Sequence, residues 1–295
     1  MERLPQMNEF VKSHGLGNDY FVLDGSRISF ALTPGIIKLL CDRNYGIGSD
    51  GILLLVPSGR ADFGLRILNP DGSEAEKSGN GLRIFAKYLY EHGHTDKKEF
   101  KIDTLGGIVS AELDVRGGRV PFVTVEMGTA TFDSSLIPVK GEEREVVNEE
   151  MRIEGEVLKF TAVSVGNPHC VVFTDNLDEG YTKMVGPLIE TSDIFPNRTN
   201  VQFAKVVSED KVEIMIWERG AGYTLASGSS SCAVAASCVK NGLTGRTVTV
   251  SMPGGELVIE IREDWSIRMR GAVEEVAYGT LSDDLIERIK TLGAE

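Results

Sequence analysis

Residues 78–93 read Ser-Gly-Asn-Gly-Leu-Arg-Ile-Phe-Ala-Lys-Tyr-Leu-Tyr-Glu-His-Gly, and residues 227–242 read Ser-Gly-Ser-Ser-Ser-Cys-Ala-Val-Ala-Ala-Ser-Cys-Val-Lys-Asn-Gly. Each run opens on Ser-Gly and closes on Gly, and the two lie 149 residues apart. The same interval separates Gly17-Asn18 from Gly166-Asn167. A constant offset across three landmarks marks an internal repeat. Gly106-Gly107 and Gly254-Gly255 follow one residue out of step, as a single deletion in the second copy gives. The chain therefore reads as two copies of one supersecondary unit facing each other, with a ligand expected where the two meet.

Within the first run Leu82, Phe85, Ala86 and Leu89 recur at i, i+3, i+4 and i+7, and Gly93 ends the helix. The second run is small and apolar on nearly every face, a pattern that belongs to an enclosed helix. A third helix, Pro34 to Cys41, carries Pro in its first turn and reads as peripheral. Elsewhere short β-branched runs alternate with Gly, Asp-Gly and Asn-Pro turns. They predict strands over Tyr20 to Leu23, Ile52 to Val56, Phe122 to Val125, Cys170 to Thr174, Val212 to Trp217, Thr247 to Met252 and Leu257 to Ile261. The fold class is thus α+β, in two pseudo-symmetric halves, each a mostly antiparallel strand barrel around a central helix. The first half covers residues 1–126 and the second 127–271, with the acidic stretch Gly141 to Glu145 as a solvated loop.

With 44 acidic against 31 basic side chains the net charge is −13, which repels phosphate backbones and anionic lipid. Nucleic acid and membranes are therefore not expected as partners. The first residues lack an apolar core of signal-peptide length, and Ile52 to Val56 is too short to span a bilayer, so a cytoplasmic location is expected. Cys41, Cys170, Cys232 and Cys238 form no CxxC pair and read as buried reduced thiols. His92-x-His94 has no acidic or Cys partner in register, and no metal site is expected.

The first N–H groups of a helix have no internal acceptor and carry partial positive charge, so each Ser-Gly mouth is an anion site. Ser78 and Ser227 can also be plain N-caps, a role for which Ser is well suited. What raises the functional reading is the pairing of both the Ser-Gly mouths and the Gly-Asn turns. Around the mouths lie Asn18, Asn69, Asn167, His169, Asn200, Glu218 and Arg219, mostly on turns, and Asn69 and Glu218 also stand at the repeat interval. Amide donors and acceptors, one carboxylate and one guanidinium make the inventory for a zwitterionic amino acid with an extra carboxylate.

At these residues the sequence resembles the diaminopimelate epimerase family along nearly its whole length. The resemblance is carried by His-Gly-Leu-Gly-Asn-Asp-Tyr (14–20), Asn-Pro-Asp-Gly-Ser-Glu (69–74), Ser-Gly-Asn-Gly-Leu-Arg (78–83), Gly-Asn-Pro-His (166–169) and Trp-Glu-Arg-Gly-Ala-Gly (217–222). It implies a C-terminal strand, about Val273 to Leu281, returning to the first half, so that 272–295 joins it. It also implies epimerisation of LL- to meso-diaminopimelate in lysine biosynthesis, without a cofactor, and a homodimer as a possible assembly. Asn18, Asn69, Asn167, Asn200, Glu218 and Arg219 match the family's substrate-binding positions, Arg219 facing the distal carboxylate. Gly79, Asn80, Gly228 and Ser229 match the mouths that hold the proximal carboxylate. His169 and Glu218 match the residues beside the acid/base pair.

The family's acid/base pair is two cysteines, and here Ser78 and Ser227 occupy both positions. A thiol titrates near ~8.5 and an aliphatic hydroxyl closer to water's ~15.7, so ionising Ser costs up to about seven pK units, on the order of 10 kcal/mol, more. Tyr223 stands where the family usually has Glu, and Ser229-Ser230 where it has Thr-Gly, so the chain reads as a natural divergent member rather than one altered at two positions. The leading expectation is an amino-acid epimerase or racemase with Ser78 and Ser227 as the proton-transfer pair, assisted by His169 and Glu218. The alternatives are a related isomerase or dehydratase using the Ser pair on a more acidic carbon, and an amino-acid-binding protein without catalysis.

Overall fold

The computed structural model describes residues 7–293, and these divide into two compact units. The first runs to Val125 and resumes at Gly271; the second is Glu126–Arg270. In the first, β1 (Glu9–Gly15) and β2 (Asn18–Asp24) form a hairpin, followed by α1 (Pro34–Cys41), β3 (Ile52–Val56), β4 (Phe63–Leu68) and β5 (Glu74–Ala75). Then come α2 (Gly79–Glu91), β6 (Glu99–Thr104), β7 (Gly107–Arg116) and β8 (Arg119–Thr129). In the second unit β9 (Glu149–Ile153), β10 (Glu156–Ser164) and β11 (Pro168–Phe173) precede α3 (Glu179–Glu190), β12 (Asn200–Ser208), β13 (Lys211–Glu218) and β14 (Gly222–Thr224). After them follow α4 (Gly228–Lys240), β15 (Thr247–Met252), β16 (Gly255–Ile261) and β17 (Ser266–Ala272). The chain ends in β18 (Glu274–Thr280) and α5 (Asp283–Leu292).

The strand pairings repeat as the sequence does. In the first unit β2 runs parallel to β3 and β4 parallel to β6, while β3–β4, β4–β5 and β6–β7 are antiparallel. In the second β11 is parallel to β12 and β13 to β15, while β12–β13, β13–β14 and β15–β16 are antiparallel. β18 flanks β1 antiparallel, as β9 flanks β10. The returning C-terminal strand thus supplies to the first unit what β9 supplies to the second from its own sequence.

Each unit surrounds one helix with strands. α2 lies against β1, β2 and β7, and α4 against β10, β11, β12, β15 and β16. Every residue from Asn80 to Leu89 and nearly every one from Gly228 to Cys238 is buried. The hairpin leading to Asn18 turns through Leu16 and Gly17, both at positive φ (56° and 86°), the two-residue turn whose twist matches its strands.

Three sequence expectations need correction. α1 is not peripheral, because Ile36, Ile37, Leu40 and Cys41 bury against Phe21, Leu23, Ile52, Leu54 and Leu68, with Leu281 and Ile289 closing the cluster. Helices α3 and α5 are additional to the three expected. His92 does have an acidic partner, Glu275 on β18, whose Oε2 lies 2.8 Å from Nε2. All four cysteines are buried and none is in a disulfide. Among the described residues no three His, Cys, Asp or Glu side chains converge on a metal-sized site, and no helix is long and apolar enough to cross a membrane.

Candidate active site

In the first unit the site is built on the mouth of α2. Ser78 is extended (φ −140°, ψ 118°), and its Oγ accepts from the Gly81 N–H at 3.1 Å. Its carbonyl takes the Leu82 N–H, closing the first turn. Helix geometry leaves the N–H groups of Gly79 and Asn80 directed out of the mouth. Gly81 is small by necessity, since a Cβ there meets Leu53 Cδ2 at 2.9 Å and Ser78 Cβ at 3.3 Å.

The side chains around this mouth hold one another. Asn18, first residue of β2, donates to Asp50 Oδ2 at 2.9 Å and accepts from Asn80 Nδ2 at 3.1 Å. Asn80 Oδ1 in turn accepts from Arg83 Nη2 at 2.7 Å. Arg83 is fully buried and also donates to the Gly79 carbonyl at 3.2 Å. Sequence reasoning passed over Arg83, because an Arg one turn into a helix normally reads as solvated. Asn69 donates to Ser73 Oγ at 2.9 Å within the turn between β4 and β5, which leaves its carbonyl oxygen for a ligand.

In the second unit the mouth of α4 has the same form. Ser227 is extended (φ −149°, ψ 124°) and buried, and its Oγ accepts from the Ser230 N–H at 3.4 Å. Ser229 Oγ lies 3.5 Å from it. Burial raises the Glu218 carboxyl above its usual range, and a hydrogen bond from Ser227 partly offsets this. A carboxylate thus sits on the hydroxyl of this mouth, with proton affinity enhanced by desolvation.

Glu218 and Arg219 are placed by two anchors. Asn200 accepts from the Arg219 backbone N–H at 3.0 Å and donates to the Pro168 carbonyl at 2.8 Å. Glu190 of α3, buried, accepts from Trp217 Nε1 at 2.7 Å and from the Gly220 N–H at 2.9 Å. The Arg219 side chain is exposed and donates to the Asn197 carbonyl at 3.1 Å. Glu190 was invisible to sequence reasoning because its partners lie about 30 residues on, across a strand pair. α3 comes close enough through Gly186, where a Cβ meets Trp217 Cβ at 2.7 Å.

His169 is fully buried and lies 2.9 Å by Nε2 from Asn167 Oδ1. Burial pushes its pKa down to about 3, the Gln202 side chain opposing and Arg219 adding to the shift. At neutral pH it is a neutral ring that orients Asn167. Tyr223 lies under Lys183, whose Nζ is 4.9 Å from the ring centre.

The family model for diaminopimelate epimerase matches residues 10–133 and 161–276. Diaminopimelate epimerase 2 of Nostoc sp. is 50% identical over 278 residues, covering 94% of this chain and 96% of its own. Diaminopimelate epimerase of Pelotomaculum thermopropionicum is 45% identical over 272 residues, covering 92% and 97%. Among solved structures, a probable proline racemase from Agrobacterium radiobacter superposes with a TM-score of 0.68 at 15% identity, covering 94% of this chain and 93% of that one. That likeness is one of fold.

Proposed function

The chain belongs to the diaminopimelate epimerase family, and we propose that it exchanges the Cα proton of a dicarboxylic amino acid, LL-diaminopimelate being the first substrate to try. The observation that carries this reading is the half-buried Glu218 side chain, hydrogen-bonded to Ser227 at a helix mouth. A lone serine is too weak a base for a carbon acid, but a serine whose proton can pass to a desolvated carboxylate is a relay. Glu218 takes the proton through Ser227, and Ser78 gives one back. The outward N–H groups of Gly228 and Ser229 suit the carboxylate next to the reacting carbon, where they also stabilise charge as the carbanion forms, and those of Gly79 and Asn80 offer the same donors at the mouth of α2. Asn18, Asn69, Asn167 and Asn200 bind the polar groups of the amino acid, and Arg219 pairs with the distal carboxylate.

Proton NMR in D₂O tests the reading directly. LL-diaminopimelate incubated with the protein should lose its Cα–H signal and gain that of the meso isomer, and Glu218→Gln should abolish both. An absence of exchange with diaminopimelate and a panel of other dicarboxylic and basic amino acids would remove it.

A further inference from the structure

The two serines have different companions. Ser227 meets the Glu218 carboxylate; Ser78 meets a phenol, with Tyr20 Oη 3.3 Å from Ser78 Oγ. Tyr20 lies in the middle of β2, buried, with its ring edge over Gly51, where a Cβ would stand 2.8 Å from Cε1. The glycine makes room for the ring, and the strand fixes the hydroxyl over the helix mouth. Tyr20 also stands 149 residues before His169, the interval of the repeat, so a titratable ring occupies this position in both copies.

A serine oxygen has one proton and two lone pairs. Gly81 N–H occupies one lone pair of Ser78. If Tyr20 donates to the other, Ser78 can only donate to a ligand; if Ser78 donates to Tyr20, it can only accept. The phenol therefore decides which way Ser78 works. A neutral phenol, ordinarily an acid near ~10, is on the order of five pK units more acidic than an aliphatic hydroxyl, which makes donation its resting direction.

We propose that Tyr20 is the proton source behind Ser78, so that the Glu218–Ser227 pair removes the Cα proton and the Tyr20–Ser78 pair delivers its replacement. This deepens the epimerase reading and rests on it. In the delivering step the Ser78 O–H bond breaks as the new Cα–H bond forms, and the electron pair of that bond comes from the carbanion. The Tyr20 proton moves to Ser78 Oγ, leaving a phenolate that regains a proton from water. Tyr20 acts through Ser78 and is a positioning residue rather than one that touches substrate.

The test compares inversion with exchange, on the full chain, with LL-diaminopimelate in D₂O. Tyr20→Phe should slow formation of the meso isomer on the order of 100-fold or more, while deuterium uptake into recovered LL substrate stays within about threefold, since removal and return by Glu218 and Ser227 persist. Glu218→Gln should lose both. In a Ser78→Cys background, where the thiol brings its own acidic proton, Tyr20→Phe should change inversion less than about threefold. Parallel loss of inversion and exchange in Tyr20→Phe, or the same loss in the Ser78→Cys background, would overturn the proposal in favour of a packing role. Unchanged inversion in Tyr20→Phe would overturn it outright. A parent protein that inverts and exchanges nothing would instead remove the epimerase reading beneath it, a result separable from the others because it needs no variant.

Discussion

At each helix mouth a serine hydroxyl accepts a backbone N–H, at 3.1 Å for Ser78 and 3.4 Å for Ser227, and its other valences meet the Tyr20 phenol at Ser78 and the Glu218 carboxyl at Ser227. A thiol at the same place ionises far more readily, and the positive end of the helix lowers its pKa further. The Ser78→Cys/Ser227→Cys double variant should therefore epimerise LL-diaminopimelate on the order of 100-fold faster than the parent or better, and either single variant much less. A double variant that binds diaminopimelate but stays inert would move attention to Tyr223 and Ser230. Glu218 gives a pH signature: its carboxyl is raised by burial, so parent activity should rise on an acid limb above the ordinary glutamate range, and a limb within that range would show that Glu218 is not the base. His169 gives one in stability instead. Its folded-state pKa is about 3 against about 6.5 unfolded, so the unfolded chain takes up the proton first. The stability present above pH 6.5 is then lost as pH falls toward 3, by on the order of 1.4 kcal/mol per pH unit. Urea unfolding between pH 7 and 4.5 should show a slope shallower by about that amount in His169→Gln; equal slopes would show that the ring is not held neutral.

The two central helices are where sequence and structure agree best, because their ends are written in local chemistry. Ser78 and Ser227 cap α2 and α4, and Gly93 and Gly242 leave them at positive φ, 75° and 67°. A cap can be separated from a proton donor by substitution. Ser78→Ala should cost about 1 kcal/mol in urea unfolding, and Ser78→Asp should restore most of it, since Asp caps as well as Ser. The added carboxylate would fill the mouth with negative charge, so Ser78→Asp should lose substrate affinity while staying stable. Retained affinity would show that no anion sits there. The helices that sequence reading missed were hidden for opposite reasons. α3 contains Gly180, Gly186 and Pro187, all poor helix residues, and exists because Gly186 lets it bury Val185 and Ile189 beside Trp217. α5 has a Ser282 cap, two Asp in its first turn and Ile286 and Ile289 three apart; its signal was present but lay beyond the repeat. Arg83, Glu190 and the Glu275 partner of His92 depend on tertiary contacts, which no local pattern encodes.

On the scale of the whole chain, the repeat announced two copies, yet the copies are not equally self-sufficient. The second unit, Glu126–Arg270, is continuous in sequence and brings its own flanking strand, β9, to pair with β10. The first obtains the corresponding strand, β18, from the far end of the chain, and with it Leu281 and Ile289, which are buried against α1 and β2. Only the family resemblance, and nothing in the repeat, pointed to that return. Without those residues, β1 presents an unpaired edge and Ile36, Ile37 and Leu40 lose their cover, a loss of apolar burial that a small unit tolerates poorly. Truncating one such side chain, as in Ile289→Ala, should cost about 2 to 5 kcal/mol. Removing the segment removes several at once. A fragment of residues 126–270 should therefore melt cooperatively by circular dichroism, whereas residues 1–125 should not until 271–295 is supplied as a separate peptide. Cooperative melting of 1–125 alone would show that the returning strand and helix decorate a unit already complete, and the asymmetry between the copies would then have no energetic meaning.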